Sequence, residues 1–359
     1  MPIDQIKLTS FRNHTETSMS FGPGINVIWG ENGSGKTSVL EAVHILSIGK
    51  SFKTNRINET VKHHSDVSRI EAGFTTNEKT ETISFSQSKD HRRQLKIINT
   101  TVKAREIIGK NPVVLLSPEE QKITKGTPGD RRGYFNKLYS TVSAAYFKAL
   151  SVFTQTLKQR NAVLKNPNQK EQFNTWDNLL AESAETIWKH RIYFNSRYNK
   201  CLKTVSKMYN KNGVSVSLIT DDTQRTKEDI LNEFKKREQA DLRAQRTSFG
   251  PHKDDSIFLF NSTPIKLFGS QGEHKISLVL IKLAEYMFIK NETNQTPILL
   301  LDDLFAKLDF KRSDAVLALL EKKSQTIITN TDLVDIEKHG IDLNDPNNKS
   351  FHLERQCSN

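Results

Sequence analysis

Short runs of alternating apolar and polar residues fill the first 112 positions of the chain, with polar, turn-forming residues between them. Such alternation is typical of half-buried β-strands, and it predicts an antiparallel layer. The predicted strands are Ile3–Leu8, Ile25–Trp29, Arg69–Phe74, Glu81–Phe85 and Leu95–Ile98. The run Val-Val-Leu-Leu-Ser, between Pro112 and Pro118, predicts a further strand.

From about Glu119 to Gln245 glycine is scarce and helical periodicity replaces the alternation. Arg131–Leu164 contains few helix breakers, and Leu179–Tyr209 has the pattern of an amphipathic helix. Its apolar residues recur at spacings of three, four and seven: Ile187, Phe194, Tyr198, Leu202, Val205 and Tyr209. A stripe of basic residues occupies the opposite face: Arg197, Lys200, Lys203, Lys207 and Lys211.

Strand and helix patterns alternate again after Ser248–Ser256. The predicted strands are Ile257–Phe260, Pro264–Leu267, Pro297–Leu301 and Thr326–Thr329, and the predicted helices are Glu273–Ile289 and Arg312–Lys322. Residues after Gly340 are polar and predict a loose end. We therefore expect an α/β domain built from residues 1–120 and 246–359, interrupted by a mostly α-helical lobe at residues 121–245.

The charge of the chain is concentrated in this insertion. The formal net charge is +12, and residues 121–249 hold 24 Lys and Arg against 12 Asp and Glu, which accounts for all of it. A basic insertion in a chain that is otherwise without net charge suggests that the insertion binds a polyanion such as DNA. The alternative is a solvated helical face that keeps the lobe soluble.

Composition narrows the class of protein further. Mean hydropathy is −0.58 and no run of 18 apolar residues occurs, so we expect no membrane span. The first residues lack the apolar segment of a secretory signal. The two cysteines, Cys201 and Cys357, show no metal-type spacing. These features are typical of a cytoplasmic protein.

A glycine-rich loop with the spacing Gly30-x-x-x-x-Gly35-Lys36-Thr37 follows the strand Ile25–Trp29 and precedes a predicted helix, Ser38–Leu46. This is a P-loop, whose backbone N–H groups and helix N-terminus bind phosphates. Lys36 suits the β- and γ-phosphates, and the Thr37 hydroxyl suits Mg²⁺. The predicted ATP-binding residues are Gly30, Glu31, Asn32, Gly33, Ser34, Gly35, Lys36 and Thr37. The alternative is an ordinary strand-to-helix turn with a stray lysine.

Two adjacent carboxylates, Asp302 and Asp303, end the apolar run that starts at Pro297. Because Mg²⁺ prefers anionic oxygen ligands, Asp302 is the candidate metal ligand, together with Thr37. Asp303 is the candidate that polarises the attacking water, so Asp303, Asp302 and Lys36 form the predicted catalytic set. The alternative is a strand that ends in a polar turn.

A second candidate phosphate-binding surface is Ser270-Gln271-Gly272, which opens the predicted helix Glu273–Ile289. Its position before the acidic strand suggests an ATP sandwich, in which these residues of each subunit act on the nucleotide held by its partner. Ser270 and Glu273 also have the spacing of a capping box, so an ordinary helix cap is the alternative.

These motifs and several others make the chain resemble the RecF family nearly from end to end. The segments that carry the resemblance are Phe11–Asn13, Gly30–Ala42, Gly49–Lys53, Leu116–Glu120, Gly126–Leu138, Lys158–Lys165, Gly250–Asp255, Ser270–Lys275 and Leu299–Asp309. The resemblance implies an ABC-type P-loop ATPase head like that of SMC proteins, with an inserted helical lobe.

The resemblance also implies a function. ATP and Mg²⁺ would drive homodimerisation, and the dimer would clamp single-stranded, gapped or duplex DNA. With RecO and RecR it would promote loading of RecA during recombinational repair, replication-fork maintenance and the SOS response. ATP hydrolysis would be weak, DNA-stimulated and used as a switch. Two departures concern the dimer seam: Glu273-His274 follows the signature, and Lys307 stands in the D-loop Phe305–Asp309 where an acid is usual.

Two rival functions share part of this pattern. The ATPase subunit of a membrane ABC transporter would carry the same nucleotide motifs, but it has no need of a cationic insert. It also normally keeps a switch histidine where this chain has Asn330 and Thr331. A small-molecule kinase would use the P-loop and leave Ser270-Gln271-Gly272 without a role.

Overall fold

The computed structural model describes residues 2–76, 79–166, 173–209, 213–303, 324–333 and 341–355. The chain divides into two compact units. The discontinuous unit consists of Met1–Gln121 and Lys275–Asn359, and the inserted unit is Lys122–His274. The return to the discontinuous unit therefore lies at Lys275, and residues 246–274, which the sequence pattern assigned to the first domain, group with the insertion.

Runs of strands and runs of helices follow one another along the described parts of the chain. The described strands are β1 (Ile3–Phe11), β2 (His14–Ser20), β3 (Ile25–Trp29), β4 (Val67–Thr76), β5 (Lys79–Ser88), β6 (Arg93–Ile97), β7 (Thr100–Thr101), β8 (Val113–Leu116), β9 (Val216–Thr220), β10 (Ser256–Phe260), β11 (Thr263–Pro264), β12 (Ile298–Asp302), β13 (Thr326–Asn330) and β14 (Lys349–His352). The described helices are α1 (Lys36–Ile48), α2 (Lys122–Lys125), α3 (Pro128–Val142), α4 (Ala144–Lys165), α5 (Phe173–Tyr209), α6 (Lys227–Ala244), α7 (Ile265–Phe268) and α8 (Gln271–Thr293).

Two sheets enclose one helix in the discontinuous unit. An antiparallel sheet has the strand order β2-β1-β4-β5-β6-β7, and a parallel sheet has the order β14-β3-β13-β12-β8. Helix α1 contributes apolar residues to a single core shared with both sheets. Because it is buried on nearly all sides, α1 has a fixed position, and so has the loop that leads into it.

The inserted unit is mostly helical, as expected, but it also contains a small sheet with the order β11-β10-β9. This sheet explains why residues 246–274 belong here, since β10 pairs with β9 along its length. On α5, five of the six predicted apolar positions are buried, and Tyr209 is half-buried. On the opposite face Lys200, Lys203 and Lys207 are exposed and Arg197 is half-buried, whereas Lys211 lies outside the described residues.

The fold corrects several expectations from the sequence. β2 was missed because its seven residues are mainly polar and only His14 and Met19 are buried. The predicted loose end after Gly340 is wrong, because β14 extends the parallel sheet beside β3. The predicted strand Pro264–Leu267 is wrong beyond Pro264, where α7 begins. None of the helices in the described ranges is long and apolar enough to cross a lipid bilayer.

A buried arginine ties three helices of the inserted unit together. Arg160 on α4 donates to Asp177 on α5 at 2.6 Å and to Asp241 on α6 at 2.7 Å. Its guanidinium also lies 4.8 Å from the centre of the Phe234 ring. Arg160 and Asp241 are fully buried. If one of them were removed, water could not solvate the charge of the other.

Replacing Arg160 with methionine should therefore destabilise the inserted unit by about 3–5 kcal/mol, because the Asp241 carboxylate would be left buried without its cation. Urea unfolding of the full chain, followed by far-UV circular dichroism, measures this change. Lys236→Met is the matched control, because Lys236 is exposed and its ion pair with Glu233 lies at the surface. A similar loss of stability in both variants would contradict the assigned role of Arg160.

Candidate nucleotide-binding site

A cavity of about 610 Å³ lies where strands of the parallel sheet end in the discontinuous unit. β3 precedes the P-loop and β12 ends in Asp302, and both are paired in parallel with β13, which lies between them. Their carboxyl ends therefore meet at one edge of the sheet, where ligands bind in open α/β folds. The lining includes Asn32, Gly33, Gly35, Lys36, Thr37, Asp302 and Asp303.

The P-loop has a backbone that only glycine accommodates at two positions. Gly30 has φ +144°, and an added Cβ would lie 2.2 Å from the carbonyl oxygen of Leu353, which follows β14. Gly35 has φ +104°, and its Cβ would lie 2.6 Å from Nε2 of His14. The loop is thus held between the segment after β14 on one side and the turn after β1 on the other.

Lys36 lies inside the loop and is largely buried. Its Nζ donates to the carbonyl oxygens of Gly30 at 2.6 Å and Glu31 at 2.8 Å. Burial lowers the pKa of Lys36, and the nearby charges of Asp303 and Asp302 oppose that shift. An ammonium held by carbonyl oxygens at the base of a cavity is suited to exchange them for phosphate oxygens, which are stronger acceptors.

The P-loop and the acidic strand meet in a direct hydrogen bond. The Thr37 hydroxyl donates to Oδ1 of Asp302 at 2.8 Å, and the Thr329 hydroxyl donates to the same oxygen at 2.8 Å. Thr329 also accepts the Asp303 backbone N–H at 3.0 Å. A hydroxyl and a carboxylate in contact supply the hard oxygen ligands that Mg²⁺ requires, so the residues fit a metal–nucleotide complex.

Thr329 was not identified as a site residue from the sequence. It lies within the buried strand β13, and only the pairing of β13 between β3 and β12 brings it against Asp302. Burial raises the pKa of Asp302, and the hydrogen bonds from Thr37 and Thr329 oppose that rise. Thr329 therefore stabilises the ionised form of the candidate metal ligand.

Asp303 lines the same cavity with its backbone in the left-handed region, at φ +52°. Such a conformation costs energy for a residue other than glycine and is concentrated at functional sites. Three further cations line the cavity: Arg12, Lys53 and Lys62. Arg12 and Lys53 belong to segments that carry the family resemblance, whereas Lys62 lies outside them. Together with Lys36 they provide positive charge for a polyphosphate.

Ser270, Gln271 and Gly272 belong to the inserted unit, at the start of α8. The Ser270 N–H donates to Oε2 of Glu273 at 2.7 Å, and the Glu273 N–H donates to Oγ of Ser270 at 3.3 Å. These bonds form the capping box that the spacing predicts, and they lower the pKa of Glu273. Ser270 and Gln271 are exposed, so the cap leaves both side chains accessible to a partner.

The structure describes the residue at the position of the switch histidine but not the predicted D-loop. The D-loop Phe305–Asp309, including Lys307, lies outside the described residues, as does the predicted helix Arg312–Lys322. Asn330, at the position of the usual switch histidine, is 1% exposed. Its Nδ2 donates to the Asp332 carbonyl at 2.8 Å, and its Oδ1 has no hydrogen-bond partner within the described ranges.

Comparison with known proteins gives consistent matches over nearly the whole chain. The model of the RecF/RecN/SMC N-terminal domain family matches residues 2–339. The DNA replication and repair protein RecF of Clostridium perfringens (strain 13 / Type A) is 32% identical over 98% of both chains. A solved structure of the recombination mediator protein RecF with ATP, in the RecFOR pathway, is 28% identical, with a TM-score of 0.87 over 94% of this chain and 95% of that one.

A more distant match shows the fold alone. The Smc head domain of Pyrococcus furiosus, solved with the C-terminal domain of ScpA, is 16% identical and has a TM-score of 0.54 over 94% of this chain and 91% of that one. The fold is therefore that of an ABC-type ATPase head, as the sequence predicted.

The raised pKa of Asp302 predicts a pH-dependent penalty on folding. An unfolded aspartate has a pKa of about 3.9. Ionisation of Asp302 therefore costs folding free energy as the pH rises through that value towards the higher folded pKa. Asp302→Asn removes the charge and keeps an oxygen for Thr37 and Thr329. Thermal unfolding without nucleotide should show this variant melting above the wild type at pH 7, with the difference shrinking towards pH 4.5.

Asp66→Asn is the control, because it makes the same change of charge at an exposed position of the same unit. If the two variants shift the melting temperature equally at every pH, burial does not disfavour the charge of Asp302.

Proposed function

Because this chain belongs to the RecF family, we propose that it is an ATP-dependent DNA-binding protein of DNA replication and repair, and that ATP drives its dimerisation. The observation that carries the proposal is the Thr37–Asp302 hydrogen bond, which joins the P-loop and the acidic strand in one cationic cavity. The near-complete coverage of a RecF relative, and a RecF structure that contains ATP, support it.

The residues of the cavity have separate roles in this proposal. The loop Gly30–Thr37 binds the phosphates of ATP, and Lys36 neutralises their charge. Thr37 and Asp302 hold Mg²⁺, which supplies further charge neutralisation when it is bound. Asp303 orients the attacking water. Because Asn330 stands where the usual switch histidine would be, we expect slow, DNA-stimulated hydrolysis that acts as a switch.

DNA binds to the inserted unit in this proposal. Lys200, Lys203 and Lys207 are exposed along one face of α5, and the Arg197 guanidinium lies 5.3 Å from the centre of the Tyr193 ring on that helix. Lys211 continues the stripe in the sequence. Lysines spaced in this way neutralise backbone phosphates without reading bases, so the face suits single-stranded, gapped and duplex DNA alike.

We further infer that this chain acts with a second copy of itself and with other repair proteins. Ser270, Gln271 and Gly272 act on the nucleotide of a second copy, so ATP joins two heads and brings two cationic lobes together. RecO and RecR act with the DNA-bound dimer to load RecA in the cytoplasm. Membership of a DNA-repair family and the cationic stripe disfavour the alternative of a transporter ATPase.

Lys36→Ala should weaken ATP binding and ATP-dependent dimerisation together, because it removes the cation that the P-loop places beside the phosphates. A charge-assisted hydrogen bond contributes about 1.5–3 kcal/mol, so affinity for a fluorescent ATP analogue should fall at least about tenfold. Sedimentation velocity with ATP and Mg²⁺ measures the dimer. Lys50→Ala is the control, because Lys50 is exposed beyond the far end of α1, and a Lys36→Ala variant that still dimerises would refute the bridging role.

Reversal of Lys200, Lys203 and Lys207 to glutamate should weaken DNA binding and leave ATP affinity intact. If each lysine neutralises one phosphate, the dependence of log K on log salt for duplex DNA should become shallower by about 0.9 for each phosphate left without its lysine. Fluorescence anisotropy at several salt concentrations, with gapped, single-stranded and duplex DNA, measures this. Reversing Lys235, Lys236 and Arg243, which are exposed on α6, makes the same change of charge elsewhere, and equal losses in both triple variants would exclude a specific role for α5.

A further inference from the structure

The turn between β1 and β2 contacts the P-loop, and its residues Arg12 and Asn13 line the same cavity. We propose that Asn13, in this turn, and His14, the first residue of β2, are positioning residues that hold the P-loop in its phosphate-binding shape. The inference concerns the shape of the loop, and its consequence for ATP rests on the proposed function. Asn13 lies in the turn and His14 lies in the antiparallel sheet, whereas the P-loop follows β3 of the parallel sheet.

Each residue binds one backbone carbonyl of the loop. Nδ2 of Asn13 donates to the Gly33 carbonyl at 3.0 Å, and Nε2 of His14 lies 3.1 Å from the Gly35 carbonyl oxygen. Since that oxygen can only accept, Nε2 carries the hydrogen and Nδ1 is left to accept from the Thr17 hydroxyl at 2.9 Å. His14 is 2% exposed and its pKa is lowered by burial, which favours the neutral ring that this arrangement requires.

The bond from His14 fixes a peptide plane at the start of α1. The Gly35 carbonyl also accepts the N–H groups of Ser38 at 2.9 Å and Val39 at 3.3 Å. In a trans peptide the N–H and C=O point in opposite directions, so the Lys36 N–H is directed away from His14. A donor already oriented for an anion avoids the ordering cost of binding.

Hydrogen bonds of Arg12 hold the turn beside the loop. The Arg12 guanidinium binds both oxygens of Glu41, at 2.8 and 2.5 Å, and Glu41 lies fully buried on α1. The Arg12 backbone N–H donates to the Thr60 carbonyl at 2.8 Å. A side chain at Gly35 would collide with both Asn13 and His14, so turn and loop are in close contact.

The alternative is that Asn13 and His14 merely stabilise the β1–β2 hairpin. Gln5 provides the matched control, because its Nε2 donates to Ser18 Oγ at 2.9 Å across the same hairpin, with no contact to the loop. Asn13→Ala removes one bond to the loop. His14→Phe keeps a ring and removes the other, and His14→Gln restores an N–H donor near the position of Nε2.

Two measurements on the full-length protein test the proposal. Hydrogen exchange without nucleotide should be faster at residues 33–37 in Asn13→Ala and His14→Phe, near wild type in His14→Gln, and unchanged in Gln5→Ala. Affinity for a fluorescent ATP analogue should fall about three- to tenfold in the first two variants, the equivalent of one neutral hydrogen bond. If His14→Phe does not fold, Asn13→Ala and His14→Gln still decide the result.

Wild-type exchange at residues 33–37 in Asn13→Ala and His14→Phe would overturn the inference, and so would equal changes in Gln5→Ala. Failure of the wild type to bind the analogue would refute the proposed function. It would leave the exchange result as a direct test of whether the turn shapes the loop.

Discussion

Burial of α1 between two sheets is the constraint on which the nucleotide site depends. The helix contributes apolar residues to a core that includes strands of the antiparallel and the parallel sheet, and each large apolar side chain buried contributes about 1.5–3 kcal/mol. A helix fixed on both faces cannot shift along its axis without opening that core. The N-terminus of α1, and therefore Lys36 and Thr37, has a defined position relative to Asp302.

Electrostatics within the cavity complement this rigid frame. Burial lowers the pKa of Lys36 and raises that of Asp302, so each group is driven towards its neutral form. Opposite charges and hydroxyl donors nearby oppose both shifts. A magnesium–polyphosphate complex carries both signs of charge, with anionic oxygens for Lys36 and a cation for Asp302, and it would favour the charged form of each residue. Binding of the proposed ligand would therefore offset part of the free-energy cost of burying these charges.

The inserted unit must stay folded while it carries an excess of positive charge. Its interior contains ion pairs between distant segments: Arg160 on α4 with Asp241 on α6, and Arg191 on α5 with Asp254 in the segment before β10. Arg191 further donates to Asn136 on α3 and to the carbonyl of Pro251. These arginines are part of the basic composition but not of the exposed surface. Net charge alone therefore overstates the cations available to DNA, and the exposed lysines of α5 are the better guide.

Local patterns determined the P-loop, the acidic strand end, the capping box and the cationic face of α5, since each depends on spacing within a few residues. Tertiary structure decided what depends on long-range pairing. Thr329 reaches Asp302 only because β13 lies between β3 and β12, and β14 joins β3 although its own residues are mostly exposed. Likewise, His14 lies in a mainly polar strand, and it meets Gly35 only because the antiparallel sheet packs over α1. Such contacts join segments far apart in the chain. Local sequence periodicity does not predict which distant residue a side chain will contact.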